Sequence, residues 1–287
     1  MNKMKILVVS EYFHPDIFAI NGIVHELVVR GHDVTVLTGL PDSTHLKIPK
    51  EYKFWRKRCE NYQGAKVFRV STIARRQGMI WRSLCYLSFV FSGNYFVWKR
   101  DLSDFDVVYV WQASPVTMAV PGIKVKKRYG TPLFLYCLDL WPESIKAMGF
   151  KEDSFFFRII KRWSQKIYRA CDHIAVSSQS FFDYLEELHG IDRDKMSYLP
   201  QYASSEMLES DFRKTPNGHI DFTYIGNIGK VQDMDCLVRA IALLKDRIDV
   251  TFHIIGGGTS LEETKKMAQD TGADRIMIFY GPLPFGE

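Results

Sequence analysis

The stretch from Leu133 to Ser144, which reads Leu-Phe-Leu-Tyr-Cys-Leu-Asp-Leu-Trp-Pro-Glu-Ser, decides the fold class of this chain of 287 residues. Its first six residues form an unbroken apolar run, which is typical of a strand buried on both faces of a parallel sheet. Asp139 follows at the carboxyl end of that strand, and Pro142 suits the first turn of a helix, because that turn needs no N–H from it. Ligands of parallel α/β sheets bind at such strand ends.

Two interpretations of this strand end stay open on residue types alone. Asp139 and Trp141 are suited to holding a polar ligand there. Alternatively, Asp139 only caps the helix and Trp141 only packs against the core.

Alternating strand and helix patterns on both sides of this stretch predict two Rossmann-like, doubly wound domains. In the first, short apolar strands at residues 5–9 and 34–37 flank a helix at residues 20–30, and residues 41–76 are rich in loops. The pattern continues to about residue 200, with a helix at residues 155–170 and a strand at residues 173–176. A polar linker at residues 200–217 leads to a second series of strands and helices, among them a helix at about residues 235–247 and a strand at residues 250–255. We therefore expect an α/β protein with domains at residues 1–203 and 204–287.

The cysteine content and the charge distribution limit the classes of protein to which this chain can belong. The five cysteines are widely spaced and odd in number, which favours reduced thiols and argues against a disulfide framework or a zinc site. The net charge of +5 is uneven, because residues 1–130 hold 20 Lys and Arg against 10 Asp and Glu. Such a basic half suits an anionic partner, whether nucleic acid, a membrane surface or a phosphorylated substrate, or is only a solvated surface.

One aromatic segment, residues 79–98, has the length of a membrane span but too many polar residues to be one. Two interpretations remain: a helix lying in the membrane interface, or an amphipathic helix folded onto the sheet. The predicted acceptor or membrane contacts are its tryptophans and the flanking cations: Trp81, Trp98, Arg75, Arg76, Lys99 and Arg100.

The loop from Gly226 to Lys230 is the best phosphate site in the sequence. Glycines let backbone N–H groups approach an oxyanion, and a lysine supplies charge. The spacing of a P-loop is absent, and a turn with an exposed lysine explains the same residues. The predicted donor-binding residues here are Gly226, Asn227, Gly229 and Lys230.

The sequence Asp139-Leu140-Trp141-Pro142-Glu143-Ser144 resembles the strand-end motif of bacterial glycosyltransferases of family 4, in the branch that assembles capsule, O-antigen and colanic-acid polysaccharides. The resemblance extends from about residue 4 to the end and implies a GT-B fold. One departure is Leu138, where that branch has Gln. Asn21 and Gly22 fall at the family's Gly-rich helix start and would close over the donor phosphates. Asp233 stands where a Gly is usual.

The resemblance also implies the reaction and its partners. A nucleotide-sugar would donate its sugar, with retention and without an obligatory metal or other cofactor, to a polyprenyl-diphosphate-linked acceptor. Asp139 would orient a hydroxyl group in catalysis. We expect a cytoplasmic protein on the inner face of the cytoplasmic membrane, and no nucleic-acid partner. A nicotinamide oxidoreductase is disfavoured, because neither opening loop has the dinucleotide fingerprint.

The family's pair of donor-binding glutamates, with seven residues between the two, has no match in the sequence. We therefore expect the second domain to be incomplete. The alternative to an active transferase is a truncated, inactive remnant that binds only acceptor or membrane.

Overall fold

The computed structural model describes residues 2–42, 47–76, 78–203, 208, 211, 217–247 and 249–283. The chain divides into two compact units, Met1–Tyr202 and Ala203–Glu287. Each unit has its own sheet and its own apolar core. Most of the predicted linker lies outside the described residues.

The first unit is an eight-stranded sheet with helices packed against it. Its strands are β1 (Lys5–Val9), β2 (Asp33–Thr38), β3 (Cys59–Tyr62), β4 (Ala65–Arg69), β5 (Val107–Gln112), β6 (Leu133–Cys137), β7 (His173–Val176) and β8 (Met196–Tyr198). Its helices are α1 (Ala19–Val29), α2 (Met79–Lys99), α3 (Val120–Tyr129), α4 (Phe155–Ala170) and α5 (Ser180–His189). A short 3-10 helix, Glu143–Met148, follows Pro142 as the sequence predicted.

The strand order is β3-β4-β2-β1-β5-β6-β7-β8, and every pairing is parallel except that of β3 with β4. This is a doubly wound order that reverses between β1 and β5. The central strands are buried as the apolar run in β6 predicted, with Leu133, Leu135 and Cys137 inaccessible to solvent. The carboxyl ends of β1, β5 and β6 therefore meet at one edge of the sheet, where Asp139 lies.

The hairpin of β3 and β4 corrects the prediction that residues 41–76 are loop-rich. Its turn has positive φ at both central residues, 47° at Gln63 and 95° at Gly64. That geometry matches the twist of a hairpin, but the pair is Gln-Gly and not the commoner Asn-Gly or Asp-Gly. The four residues of β3 are also mostly polar, so neither strand nor turn stood out in the sequence.

Helix α2 occupies the predicted aromatic segment, and one of its faces packs onto the core through Cys85, Phe89 and Val97. The opposite face is exposed. Its exposed large side chains are Ile80, Trp81, Leu84, Phe91, Tyr95 and Trp98. Among the described residues, no helix is long and apolar enough to cross a membrane.

The second unit contains a three-stranded parallel sheet of order β11-β10-β9. Its elements are β9 (Ile220–Ile225), α6 (Met234–Ala242), β10 (Val250–Ile255), α7 (Leu261–Thr271) and β11 (Met277–Gly281). Ile228, Val238, Ile241 and Ile254 form the centre of its core. The predicted strands and helices are present, although α6 ends at Ala242 and not near residue 247 as expected.

Candidate functional site

A polar network lies at the point where the strand order of the first unit reverses. The Tyr12 hydroxyl, in the loop after β1, donates to the carbonyl oxygen of Ser114, in the loop after β5, at 3.0 Å. The Nη2 atom of Arg75 donates to the Tyr12 hydroxyl at 2.9 Å and to the Tyr86 hydroxyl at 3.1 Å. The Arg75 guanidinium also lies over both tyrosine rings. The network thus joins two strand ends to α2 at the crevice where ligands of this fold bind.

Asp139 extends this network from the end of β6. The Ser144 hydroxyl donates to its carboxylate, so Asp139 does hold the following 3-10 helix in place. Burial raises the pKa of Asp139 above its ordinary value, against the hydrogen bond from Ser144 that lowers it. A partly buried carboxylate of raised pKa is a better proton acceptor than an exposed one. The two interpretations of Asp139 are therefore compatible.

Gln112 fixes the loop that carries Asp139. Its side-chain amide is fully buried at the end of β5 and donates to the carbonyl oxygens of Ala113 at 2.8 Å and Asp139 at 2.9 Å. The neighbouring Leu138 N–H donates to the Gln112 carbonyl at 2.9 Å. Leu138 stands where the family branch has Gln. In this chain Gln112, on the adjacent strand β5, holds the same loop.

Two acidic side chains lie buried beside the network. Glu11, after β1, is 5% exposed, and burial raises the pKa of its carboxyl to about 8. Asp42, after β2, is also 5% exposed, and burial raises its pKa too. Their carboxylate oxygens lie 3.5 and 3.8 Å from Cys85 Sγ, and Asp42 also accepts from the Arg75 N–H at 2.6 Å. At neutral pH Glu11 is therefore mainly uncharged.

The four predicted flanking cations have different surroundings in the structure. Arg76 and Lys99 are exposed and lie over the Trp81 ring at 4.3 Å and the Trp98 ring at 4.8 Å. Arg100 lies over Phe68 and Phe96 at 4.5 and 5.0 Å. Arg75, in contrast, is mostly enclosed by the polar network, so it is no member of an exposed cationic flank.

Asn21 lies in the first turn of α1 and braces the loop before it. Its side-chain oxygen accepts from the His14 N–H at 3.1 Å, and its amide donates to the Asp16 carbonyl at 2.8 Å. Gly22 lies against Tyr202, whose hydroxyl would be 2.6 Å from a Cβ at this position. The donor-binding role predicted for these two residues stays a prediction.

In the second unit, two glycine loops cross in direct contact at the carboxyl edge of the sheet. A Cβ on Gly256 would be 1.9 Å from the Gly226 carbonyl oxygen, and one on Gly258 would be 2.2 Å from that of Ile228. The Gly226 N–H donates to the Ile255 carbonyl at 3.0 Å, and the Ile228 N–H to the Gly257 carbonyl at 2.9 Å. These two N–H groups therefore hold the two loops together by hydrogen bonds.

The rest of the predicted phosphate loop is shaped by an amide pair. Asn227 Nδ2 donates to Gln232 Oε1 at 3.1 Å, and this pair leaves no room for a Cβ on Gly229. Asp233 has a left-handed backbone, with φ 46°, which explains why glycine suits this position. Its carboxylate accepts from the Cys236 N–H at the start of α6, and so caps that helix. The side chain of Lys230 lies outside the described residues.

Sequence reasoning missed Tyr12, Arg75 and the buried pair Glu11 and Asp42 as members of the site. The available signal was their position, since Glu11 and Tyr12 directly follow a predicted strand and Asp42 follows the next.

Comparison with known proteins gives one curated relative with a partial match. A "Probable glycosyltransferase WbjE" from Pseudomonas aeruginosa is 26% identical over 158 residues. The match covers 52% of this chain and 39% of that protein. The chain thus matches well under half the length of this relative.

Solved structures share the fold at low identity. The Anabaena protein Alr3699/HepE, in complex with UDP and glucose, superposes with a TM-score of 0.63 at 12% identity, covering 98% of this chain and 70% of that one. A glycosyltransferase from Rickettsia africae superposes with a TM-score of 0.57 at 13% identity, covering 99% of this chain and 69% of that one. The lipopolysaccharide outer core galactosyltransferase WaaB in its apo form superposes with a TM-score of 0.54 at 16% identity, covering 98% of this chain and 68% of that one. The predicted α/β fold of the GT-B type is confirmed.

The model of one protein family, described as Glycosyltransferase Family 4, matches residues 20–201. This range includes Asp139 and Gln112 and spans more than half of the chain. The chain belongs to glycosyltransferase family 4.

Proposed function

We propose that the protein transfers a sugar from a nucleotide-sugar donor to an acceptor carried on a lipid diphosphate, in the assembly of a surface polysaccharide. The transfer retains the anomeric configuration and uses no obligatory metal. The observation that carries the proposal is the polar network at the switch point of the first unit. Asp139 follows β6 beside this network, in a domain whose sequence matches the family, and strand ends of this kind bind ligands in parallel α/β sheets.

In the proposed reaction, the bond between the anomeric carbon and the donor diphosphate breaks, and a bond to an acceptor hydroxyl oxygen forms. The acceptor hydroxyl loses a proton, and the leaving diphosphate keeps the electron pair and gains negative charge. Asp139 orients the hydroxyl, and its raised pKa suits it to share that proton. Nothing in this role requires the carboxylate to be fully buried.

The leaving diphosphate is assigned to the glycine loops of the second unit. Because the N–H groups of Gly226 and Ile228 serve loop packing, the proposed contacts are Asn227, Gly229 and Lys230. Backbone N–H groups and a lysine at such a strand end stabilise a diphosphate by charge. A structural neighbour binds UDP and glucose, which supports a nucleotide-sugar as the donor.

Contact with a membrane is proposed for the exposed face of α2. Trp81 and Trp98 are 40% and 58% exposed, each with a cation over its ring. Exposed aromatic rings beside cations suit the interface of an anionic bilayer. The lipopolysaccharide galactosyltransferase among the neighbours supports a surface polysaccharide as the product.

A transfer assay with the full chain tests the role of Asp139. We expect Asp139→Asn to lower turnover by roughly 10²-fold or more, as loss of a proton-accepting group does. Its affinity for the nucleotide-sugar should stay unchanged, because Asp139 is not among the proposed contacts of the donor diphosphate. Asp153→Asn, at an exposed position of the same unit, is the matched control. Equal turnover of Asp139→Asn and wild type would rule out this role.

A further inference from the structure

Two tyrosines on different helices hold the loop of residues 139–144. The Trp141 N–H donates to the hydroxyl of Tyr168, on α4, at 3.3 Å. The hydroxyl of Tyr184, on α5, donates to a carboxylate oxygen of Glu143 at 3.2 Å. The loop is therefore fixed at two points by side chains of the two helices, in addition to the hydrogen bonds from the adjacent strand described above.

The two helices that carry these tyrosines are joined to each other. Gln165 Nε2, on α4, donates to the Leu188 carbonyl oxygen on α5 at 2.8 Å, and Arg169 Nε donates to that of His189 at 2.8 Å. The His189 side chain is inaccessible to solvent, and its ring lies 4.9 and 5.5 Å from the rings of the two tyrosines. Because closely packed side chains keep their positions, this ring helps to set the distance between the two tyrosines.

Both tyrosine contacts act close to Asp139 along the chain. Trp141 is two residues from Asp139. Glu143 directly precedes Ser144, whose hydroxyl donates to the Asp139 carboxylate. Displacing Glu143 would therefore displace the hydroxyl from which Asp139 accepts. Reacting groups need to be held within about 0.5 Å of their productive positions, by side chains that are themselves held in place.

Helix packing alone does not account for the two hydroxyl groups. A phenylalanine ring fills the same space, and a buried hydroxyl costs free energy unless it is hydrogen-bonded. Tyr168 is only 1% exposed, yet its hydroxyl accepts from the loop and not from its own helix. The Tyr184 hydroxyl donates to a carboxylate, and hydrogen bonds to charged groups are the stronger kind. The hydroxyl groups thus serve the loop.

We propose that Tyr168 and Tyr184 are positioning residues for Asp139, and that Tyr184 acts through Glu143. The inference rests on the proposed function and deepens it, because it extends the residues that support the reaction to α4 and α5. Neither tyrosine contacts a substrate in this proposal. Each acts on the orientation and burial of the Asp139 carboxylate.

Carbon-13 NMR of the Asp139 carboxyl group in the full chain tests the proposal without any activity, and Asp139→Asn identifies the resonance. Burial holds the pKa of this carboxyl above its ordinary value of 3.8 and outweighs the hydrogen bond that lowers it. Tyr168→Phe and Tyr184→Phe should therefore each lower this pKa toward 3.8, because a loop held at fewer points exposes the carboxylate to water. Tyr129→Phe, which loses a hydrogen bond to the Arg100 carbonyl at the end of α3, is the matched control and should leave it unchanged.

A double-mutant experiment tests the route through Glu143. Glu143→Leu removes the acceptor of the Tyr184 hydroxyl, so adding Tyr184→Phe to it should change the pKa of Asp139 no further. Adding Tyr168→Phe to Glu143→Leu should still lower this pKa. An equal effect of Tyr184→Phe with and without Glu143→Leu would overturn the route through Glu143. An unchanged pKa of Asp139 in both single tyrosine variants overturns the proposal as a whole.

Sugar transfer separates this inference from the proposed function. Tyr168→Phe and Tyr184→Phe should each lower kcat roughly fivefold, the scale of one hydrogen bond, and leave the KM for the donor unchanged. Transfer by the wild type with the same kcat in both variants would overturn this inference alone and leave the proposed function standing. Absence of transfer by the wild type would count against the proposed function, whereas the pKa of Asp139 would still decide whether the tyrosines position that carboxylate.

Discussion

Replacing Glu11 with glutamine should make the first unit more stable at neutral pH. The folded state holds this carboxyl protonated up to a pKa of about 8, whereas the ordinary value is 4.5. Above pH 4.5 the unfolded chain releases the proton and the folded state does not. Folding therefore loses stability as the pH rises from 4.5 to 8, by about 1.4 kcal/mol per pH unit. At pH 7 the cost amounts to roughly 3 kcal/mol, and Glu11→Gln removes it.

Urea denaturation followed by tryptophan fluorescence measures this effect. All six tryptophans lie in residues 1–202, so their fluorescence reports the first unit alone. We expect the free energy of unfolding of Glu11→Gln to exceed that of wild type at pH 7, and the difference to vanish near pH 4.5. Glu187→Gln, at an exposed position, is the control.

The opposite result would refute the reasoning about burial. If Glu11→Gln and wild type change stability in parallel between pH 5 and 8, the carboxylate is ionised in the folded protein. Arg75, whose charge lowers the pKa of Glu11, would then outweigh the effect of burial.

Three further predictions concern other parts of the chain. Lys230→Ala should weaken nucleotide-sugar binding by roughly 1.5–3 kcal/mol, the scale of a hydrogen bond to a charged group, as calorimetry would show. Burial lowers the pKa of His189 to about 4, so the unfolded chain binds a proton below pH 6.5 that the folded state refuses. On lowering the pH from 7 to 5, His189→Phe should therefore gain about 2 kcal/mol relative to wild type in urea denaturation. Charge reversal of Arg76, Lys99 and Arg100 together should abolish sedimentation with anionic vesicles.

Each of these has a definite contrary outcome. Unchanged donor affinity in Lys230→Ala, with Lys245→Ala as the exposed control, would remove the lysine from the donor site. A constant difference between His189→Phe and wild type from pH 7 to 5 would show that the buried imidazole accepts a proton. Vesicle binding that survives charge reversal would leave only the aromatic side chains of α2 as the source of attraction.

The parts of the fold that were predictable are those whose apolar runs are bounded by clear end signals. Helix α4 and strands β7 and β10 begin and end at the predicted residues. The β3–β4 hairpin was not predictable, because its strands are short and its turn residues are not the favoured pair. Helix α6 was predicted too long, since residues 243–247 continue a helical pattern but form turns in the structure.

The sequence predicted where the candidate site lies, but it did not predict all of the residues that form the site. Asp139 and the glycine loops stand at strand ends, which the sequence shows directly. The role of Arg75 was not visible, because its contacts with Tyr12 and Tyr86 join residues separated by 63 and 11 positions. Its neighbour Arg76 has the same residue type and is exposed, so only the folded chain distinguishes the two.

The β3–β4 hairpin has a consequence for how the protein behaves at high concentration. A parallel sheet that ended at β4 would present open backbone N–H and carbonyl groups beside the buried Val67, and exposed sheet edges of that kind recruit strands from other molecules. The antiparallel strand β3 covers that edge with Glu60 and Asn61 among its four residues. The buried Arg69 guanidinium pairs with Glu60 and ties the covering strand to the sheet. The hairpin thus protects this edge of the first unit's sheet against edge-to-edge aggregation.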